Sequence, residues 1–274
     1  MPEGPEIRIE ADAIRAAVGG RIARKVYFAF ARLKRFQSRL SGAKVSSVRA
    51  RGKAILIGFA GGYTIYSHNQ LYGRWQVCAD GEVPETGRQL RLAIHGARRA
   101  ALLYSASEIQ VLKSDAVESH PYIRRLGPDV LNQRVGRRRL SQRFLEQRFA
   151  RRSLASLFLD QGFVAGIGNY LRSEILFAAG VHPARRPADL EASELHRLAD
   201  AVTDLVRQSY RTRGITNDLA LARELQAKGV NRAAYRFAVF DRQGEPCFNC
   251  GEPIRRRNLA GRRCYFCPSC QPLL

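Results

Sequence analysis

The chain has 274 residues, room for about two domains at roughly 150 residues each. It is 45% hydrophobic and 26% charged, enough apolar material to bury a core, which excludes a disordered polymer. Forty-six Lys and Arg against 24 Asp and Glu leave a formal charge of +22, so the fitting partner is a polyanion. No apolar run reaches the ~20 residues of a membrane span, which argues against an integral membrane protein. The opening Met1-Pro2-Glu3-Gly4-Pro5-Glu6 is acidic and lacks an apolar stretch, so it does not read as a secretory signal. Removal of Met1 is expected, because the small residue Pro2 follows it.

In chain order, residues 5–18 place Ile7, Ala11, Ile14 and Val18 at helical spacing, with Gly19-Gly20 as a stop. Strand patterns follow at 26–30, 45–59, 63–67, 75–78, 90–95 and 101–112, punctuated by glycine pairs, Asp80-Gly81 and Pro84. Short strands at that spacing predict a sandwich or barrel. From about Arg124 the pattern becomes helical, at 140–149, 154–163, 170–179 and 190–210, the last with Leu195, Leu198, Val202, Leu205 and Val206 on one face. An arginine-bearing stretch, 211–236, leads to a cysteine-rich tail. The expected class is α+β multidomain: an N-terminal β-sandwich with a leading helix (1–124), a helical domain (125–236) and a zinc ribbon (237–274).

The tail is the most specific spacing signal. Five of the six cysteines fall in the last 28 residues, as Cys247-x2-Cys250, a 16-residue spacer and Cys267-x2-Cys270, with Cys264 just before the second pair. Without a secretory signal this reads as a tetrahedral site for one structural zinc ion rather than as disulfides. Cys264 could take the place of Cys270, since 264 and 267 also form a C-x2-C, although Cys267-Pro268-Ser269-Cys270 is closer to common zinc knuckles. The spacer 254–266 suits a short hairpin, and Cys78 reads as a small buried hydrophobe.

Arginine supplies most of the charge, 40 residues against 6 lysines, and forks onto phosphate oxygens where an ammonium cannot. Residues 134–152 hold eight arginines and one acid, Glu146, and read more readily as a solvated helix face than as continuous phosphate contact. The Gly166-Ile167-Gly168 turn before a helix offers backbone N–H groups for a phosphate.

The first residues carry the chemistry. With Met1 removed, Pro2 exposes a secondary amine. A generic α-amine has a pKa of about 8 against about 10.4 for lysine, so far more of it is free base at neutral pH. Attack on a sugar C1′ would give an iminium that cannot neutralise itself by losing a proton from nitrogen and so labilises the C2′ proton. Glu3 is placed to move protons, and Glu6 follows one helical turn later. Read as composition alone, Pro5 and two acids also suit simple helix capping.

The opening hexapeptide resembles that of the formamidopyrimidine-DNA glycosylase/endonuclease VIII family. Arg51-Gly52-Lys53 is similar to the family's lysine loop, Leu159-Asp160-Gln161 with Gly166-Ile167-Gly168-Asn169-Tyr170 to its helix-two-turns-helix motif, and Gly261-Arg262 before Cys267-Pro268-Ser269-Cys270 to its zinc-finger arginine. The segments 66–73 and 103–107 resemble the endonuclease VIII branch. The resemblance implies Pro2 as nucleophile and Schiff-base former, Glu3 as acid/base with Glu6 in support, and Lys53 on a phosphate near the lesion. It implies Asn169 and Arg262 on flanking phosphates, and Gln70, Leu71 and Tyr72 filling the void left by a flipped nucleotide. The implied activity is base-excision repair: removal of oxidised bases, preferably pyrimidines, followed by β- and δ-elimination. The partner is double-stranded DNA with oxidised bases or abasic sites, met by a monomer in the bacterial cytoplasm at the nucleoid. The alternatives are a formamidopyrimidine/8-oxoguanine type and a non-catalytic zinc-ribbon DNA-binding protein. His68 and His120 read as structural. The segment 217–230 looks helical and longer than expected for endonuclease VIII, which bears on base preference.

Overall fold

Helix α1 (Gly4–Val18) forms where proline sits in the first turn and Glu3 and Glu6 make a reciprocal capping box. Its stripe of Ile7, Ala11, Ile14 and Val18 is buried, each 2% exposed or less. At ~1.5–3 kcal/mol per large aliphatic side chain removed from water, that face supplies most of the helix's attachment. The structure, a computed structural model, describes residues 2–82 and 84–273; the expected loss of Met1 lies outside the described residues.

The chain divides into two compact units, Met1–Arg125 and Leu126–Leu274. In the first, eight strands follow α1: β1 (Lys25–Phe28), β2 (Val45–Arg51), β3 (Ala54–Phe59), β4 (Tyr63–His68), β5 (Arg74–Ala79), β6 (Leu90–His95), β7 (Arg99–Tyr104) and β8 (Glu108–Lys113). They form two antiparallel four-stranded sheets, ordered β1-β6-β7-β5 and β2-β3-β4-β8. Inward residues of both sheets, among them Phe28, Val45, Ile57, Ile65, Leu92 and Leu103, meet Ile7 and Ile14 of α1 in one core. The helix touches β2 and β3 of one sheet and β5 and β7 of the other.

Two predicted strands are each two strands. The 45–59 run turns back at Gly52-Lys53, where Arg51 pairs with Ala54. Gly52 has φ +57° and Lys53 does not share that sign, the pattern of a two-residue II′ hairpin that needs glycine first. The 101–112 run breaks at Ser105, whose φ of +52° redirects the chain so that β7 and β8 belong to different sheets.

The second unit is built on α2 (Arg137–Phe144), α3 (Asn169–Ala178), α4 (Ala192–Arg211) and α5 (Leu219–Ala227), with a two-stranded ribbon, β9 (Arg255–Leu259) and β10 (Arg262–Phe266). Helices α2 and α3 pack on α4, and α3 also packs on β10. The predicted helices 140–149 and 154–163 are both shorter. One stops at Phe144 and resumes as a single turn, Gln147–Ala150; the other is Leu154–Leu157, capped by Ser153. What holds this irregular region is a cluster of Phe144, Phe149, Phe158 and Phe163, with ring centroids 4.9–5.9 Å apart. The segment 217–230 is α5, its start capped by Asp218.

Candidate active site and nucleic-acid interface

Pro2 is half-buried and immediately precedes Glu3, the N-cap of α1, which is 2% exposed. The Glu3 backbone N–H donates to Glu6 Oε2 at 3.0 Å, while the Glu3 side chain accepts from the Glu6 backbone. The bonds that fix the helix start therefore also hold Glu3 beside Pro2.

Lys53, on the β2–β3 turn, is 8% exposed, and its backbone N–H donates to the Tyr122 hydroxyl at 2.8 Å. Tyr122 leads into a ring cluster. It meets His68 edge-on at 5.3 Å and Tyr66 at 6.2 Å, and Tyr66 lies against His120 at 4.2 Å. Burial lowers the pKa of His68, and the nearby Lys53 ammonium adds to it against the opposing pull of Glu108; burial likewise lowers that of His120. As neutral rings both act as acceptors: His68 Nδ1 takes the Gln70 N–H at 3.0 Å and His120 Nδ1 the Tyr122 N–H at 3.3 Å. Burial and the Glu108 carboxylate push the Tyr66 phenol up, so it stays protonated and donates to Glu108 Oε1 at 3.1 Å. His68 thereby connects Tyr122, the partner of Lys53, to the loop that follows β4.

That loop presents Gln70, Leu71 and Tyr72. Gln70 sits at φ +50°, with Nε2 donating to Glu108 Oε2 at 3.0 Å and Oε1 accepting from Ser107 Oγ at 2.7 Å. Leu71 and Tyr72 are 57% and 67% exposed, two adjacent large apolar side chains held out into solvent. Gly73 is required behind them, because a Cβ there would lie 2.6 Å from the Asn69 carbonyl oxygen.

In the second unit, Asn169 opens α3 and faces the ribbon: its Nδ2 donates to the Arg263 carbonyl at 2.8 Å, and its Oδ1 accepts from Arg172 at 2.7 Å. Asn169, Asn258, Gly261, Arg262 and Arg263 line one concavity of about 380 Å³, with Arg262 exposed. The neighbouring turn differs from expectation. The Gly166 N–H is taken by Gln161 Oε1 at 3.0 Å, and Gln161 Nε2 donates to the Ile167 carbonyl at 2.8 Å, so Gly166 braces the turn instead of offering its N–H outward.

The sulfurs of Cys247, Cys250, Cys267 and Cys270 all lie within 4.8 Å of one another. Three of the separations are 3.4, 3.5 and 3.9 Å, close to the ~3.8 Å that a tetrahedral shell of ~2.3 Å metal–thiolate bonds requires. The donor set and its spacing fit a bound metal ion. Cys264 is outside the cluster: it is fully buried, with its Sγ 3.9 Å from Ser173 Oγ on α3. Its turn in β10, paired with Arg257, directs it to the helix rather than to the other thiols. Cys78 is buried and contacts the Glu82 carbonyl at 3.5 Å.

Residues 1–106 match the formamidopyrimidine-DNA glycosylase N-terminal domain, and residues 126–219 match the formamidopyrimidine-DNA glycosylase H2TH domain. Endonuclease 8 of Klebsiella pneumoniae and endonuclease 8 of an Escherichia coli strain are each 45% identical to the chain over 271 residues, 99% of this chain and all of theirs. The chain belongs to the formamidopyrimidine-DNA glycosylase/endonuclease VIII family. Its fold is that of Lactococcus lactis Fpg (MutM) solved with N7-benzyl-Fapy-dG DNA, at a TM-score of 0.82 and 21% identity over 99% of this chain and 100% of that one. The same enzyme solved with abasic-site DNA gives a TM-score of 0.81 at 20% identity, over 99% of this chain and 100% of that one.

Two residues that position this family member's ribbon escape sequence reasoning. Arg172 is completely buried and donates to the carbonyls of Ala155, Leu259 and Arg263 at 3.0–3.1 Å. Glu174, 1% exposed, accepts from the N–H groups of Ala238, Val239 and Phe240 and from Thr216 Oγ1 at 2.7–2.9 Å. Opposite charges two residues apart inside an otherwise apolar helix were the available signal, because buried charges persist only where they are paired or hydrogen-bonded.

Proposed function

We propose that the chain is a bifunctional DNA glycosylase and abasic-site lyase that removes oxidised bases, preferably pyrimidines, from double-stranded DNA. The observation carrying this reading is the buried carboxyl of Glu3 at the cap of α1, next to Pro2. The Pro2 nitrogen bonds to C1′ as the C1′–base bond breaks, its N–H proton passing to the departing base, and Glu3 protonates the deoxyribose ring oxygen as the C1′–O4′ bond breaks. The opened sugar is then an iminium on Pro2. Loss of the C2′ proton expels the 3′ phosphate, a second elimination expels the 5′ phosphate, and water releases the sugar fragment from the amine. Glu6, in the capping box, keeps Glu3 in place, and Lys53 binds a phosphate near the lesion. Gln70, Leu71 and Tyr72 enter the stack as the nucleotide leaves it, offsetting the few kcal/mol that flipping costs. Asn169 and Arg262 bind flanking phosphates from the concavity that they share.

One zinc ion is the proposed occupant of the four-cysteine cluster, where it would tie the two knuckles of a tail too small to bury a core. The working form is a monomer in the bacterial cytoplasm. No described helix is long and apolar enough to cross a membrane. Borohydride trapping on lesion-containing duplex tests the mechanism, with a DNA adduct at Pro2 as the expected product; absence of any adduct from active protein refutes it. An excision panel separates base classes, and a strong preference for 8-oxoguanine opposite cytosine would move the enzyme to the formamidopyrimidine type. The non-catalytic alternative requires P2G and E3Q to change nothing measurable.

A further inference from the structure

Glu10 lies on α1, two helical turns after Glu3, and the proposed chemistry leaves it without a role. Its Oε2 accepts from Asn69 Nδ2 at 2.7 Å. Asn69 directly precedes Gln70, Leu71 and Tyr72, and its carbonyl accepts from the Gly73 N–H at 2.7 Å, so the residue that Glu10 holds also closes the loop that carries them. Asn69 is 2% exposed and its Oδ1 finds no partner among the described residues. The half-buried carboxyl borders a cavity of about 390 Å³ lined by Ile9, Trp75, Val77 and Arg99.

We propose that Glu10 is a positioning residue for base excision, pinning Asn69, the residue that closes the 69–73 loop, to the helix that begins at Pro2-Glu3, so that Leu71 and Tyr72 enter the stack from a fixed base. The inference rests on the reading of Gln70-Leu71-Tyr72 as the inserting residues. Those side chains are exposed and cannot be held by their own packing; an inserting loop loses less entropy on entering the helix if its ends are already fixed. The other anchors support the middle of the loop: Gln70 on Glu108 and Ser107, and Arg88 on the Tyr72 carbonyl at 2.6 Å. Glu10 holds its base, through Asn69.

Burial pushes the Glu10 carboxyl up to about 7, and repulsion from Glu6 adds to this against the hydrogen bonds of Asn69 and Trp75 and the attraction of Arg74. The link survives that titration. In the protonated form the carbonyl oxygen still accepts from Asn69 Nδ2. A glutamine at position 10 keeps the same bond, its amide oxygen accepting from Nδ2.

The test places 2-aminopurine beside an oxidised pyrimidine and follows its fluorescence by stopped flow with the full-length protein, alongside excision from duplex and from single-stranded DNA. E10A should slow the insertion phase and duplex excision at least ten-fold through kcat, with KM within two-fold. Single-stranded excision, which leaves no stack to fill, should stay within two-fold. E10Q should restore duplex excision, and E10A/N69A should lose no more than E10A. Wild-type insertion and duplex excision in E10A, or equal losses on duplex and single strand, overturn the inference. The L71A/Y72A variant distinguishes the levels: if it excises from duplex normally, the insertion reading itself falls and takes this one with it. If it is slow and E10A is not, only the role of Glu10 falls.

Discussion

Replacing Glu174 with alanine tests whether a single buried carboxylate attaches the cysteine-bearing ribbon to α3. Four donors converge on it: three consecutive backbone N–H groups, of Ala238, Val239 and Phe240, and the Thr216 hydroxyl. Alanine leaves all four without an acceptor in a site that is 1% exposed. At about 1 kcal/mol or more for each buried donor left unsatisfied, the loss is roughly 4 kcal/mol, a large share of the 5–15 kcal/mol that holds a typical domain together. Glutamine keeps one carbonyl oxygen and should lose about half of that, whereas T216V removes a single donor and should cost about 1 kcal/mol. Denaturant titration gives the total, and hydrogen exchange locates it. Amides 238–240 should lose protection first, while the amides of the N-terminal sandwich keep theirs. DNA affinity should fall with ribbon attachment, because Arg262 on the ribbon and Asn169 on the helix line the same concavity. An E174A protein with an unchanged denaturation midpoint and protected amides at 238–240 would refute the reasoning.

P2G and E3Q should abolish excision with DNA binding retained, measured by borohydride trapping beside a gel-shift titration; an uncleaved N-terminal tag should do the same by turning the Pro2 nitrogen into an amide. Chelation should release one zinc per chain and weaken DNA binding more than it unfolds the N-terminal unit, read by metal analysis and by circular dichroism. If about five phosphates are neutralised, log K against log salt should slope near −4 to −5, and a salt-independent affinity would contradict the polyanion reading. Glu10 sets a pH dependence of stability whose sign follows from its raised pKa. Its contribution is fully present below the ordinary carboxyl value of 4.5 and is lost as pH rises through about 7. E10Q should therefore match wild type in melting temperature at acid pH and exceed it above pH 7; equal melting temperatures at pH 8 would contradict the burial of that carboxyl.

Periodicity located the α1 stripe because that helix buries one face, whereas strands such as β3 and β7, buried on both faces, showed as short continuous apolar runs. It missed the breaks within 45–59 and 101–112 because those segments remain apolar across the turn. Gly52 was a visible cue for the first; Ser105, at φ +52°, was not a cue for the second, since serine rarely adopts that conformation. The cysteine spacing identified the four clustered thiols, and it left Cys264 open because spacing cannot say which way a strand faces. Arg172 and Glu174 could be flagged as charges inside a helix but not assigned a role, because their partners are mostly backbone groups, distant in sequence, which no side-chain pattern encodes.

Charge was legible in total and misleading in distribution. The 134–152 run looks like the strongest basic feature, yet Arg137 pairs with Asp200, Arg143 and Arg148 with Glu146, and Arg152 with Asp160, and Arg143 also binds the Phe163 and Gly162 carbonyls. Those arginines brace an irregular helical region. The shorter ribbon carries Arg255, Arg256, Arg257, Arg262 and Arg263, all exposed, and among the described residues its one ion pair is Arg255 with Glu252 at 3.8 Å. The other four have no carboxylate partner among the described residues, so that charge stays available to an external anion, and it lies beside the Asn169 concavity. Phosphate affinity is therefore expected to follow the placement of unpaired arginine rather than its density along the chain. Neutralising Arg256 and Arg257 should flatten the salt slope more than neutralising Arg137 and Arg148, the opposite of what the count of charges in the sequence suggests.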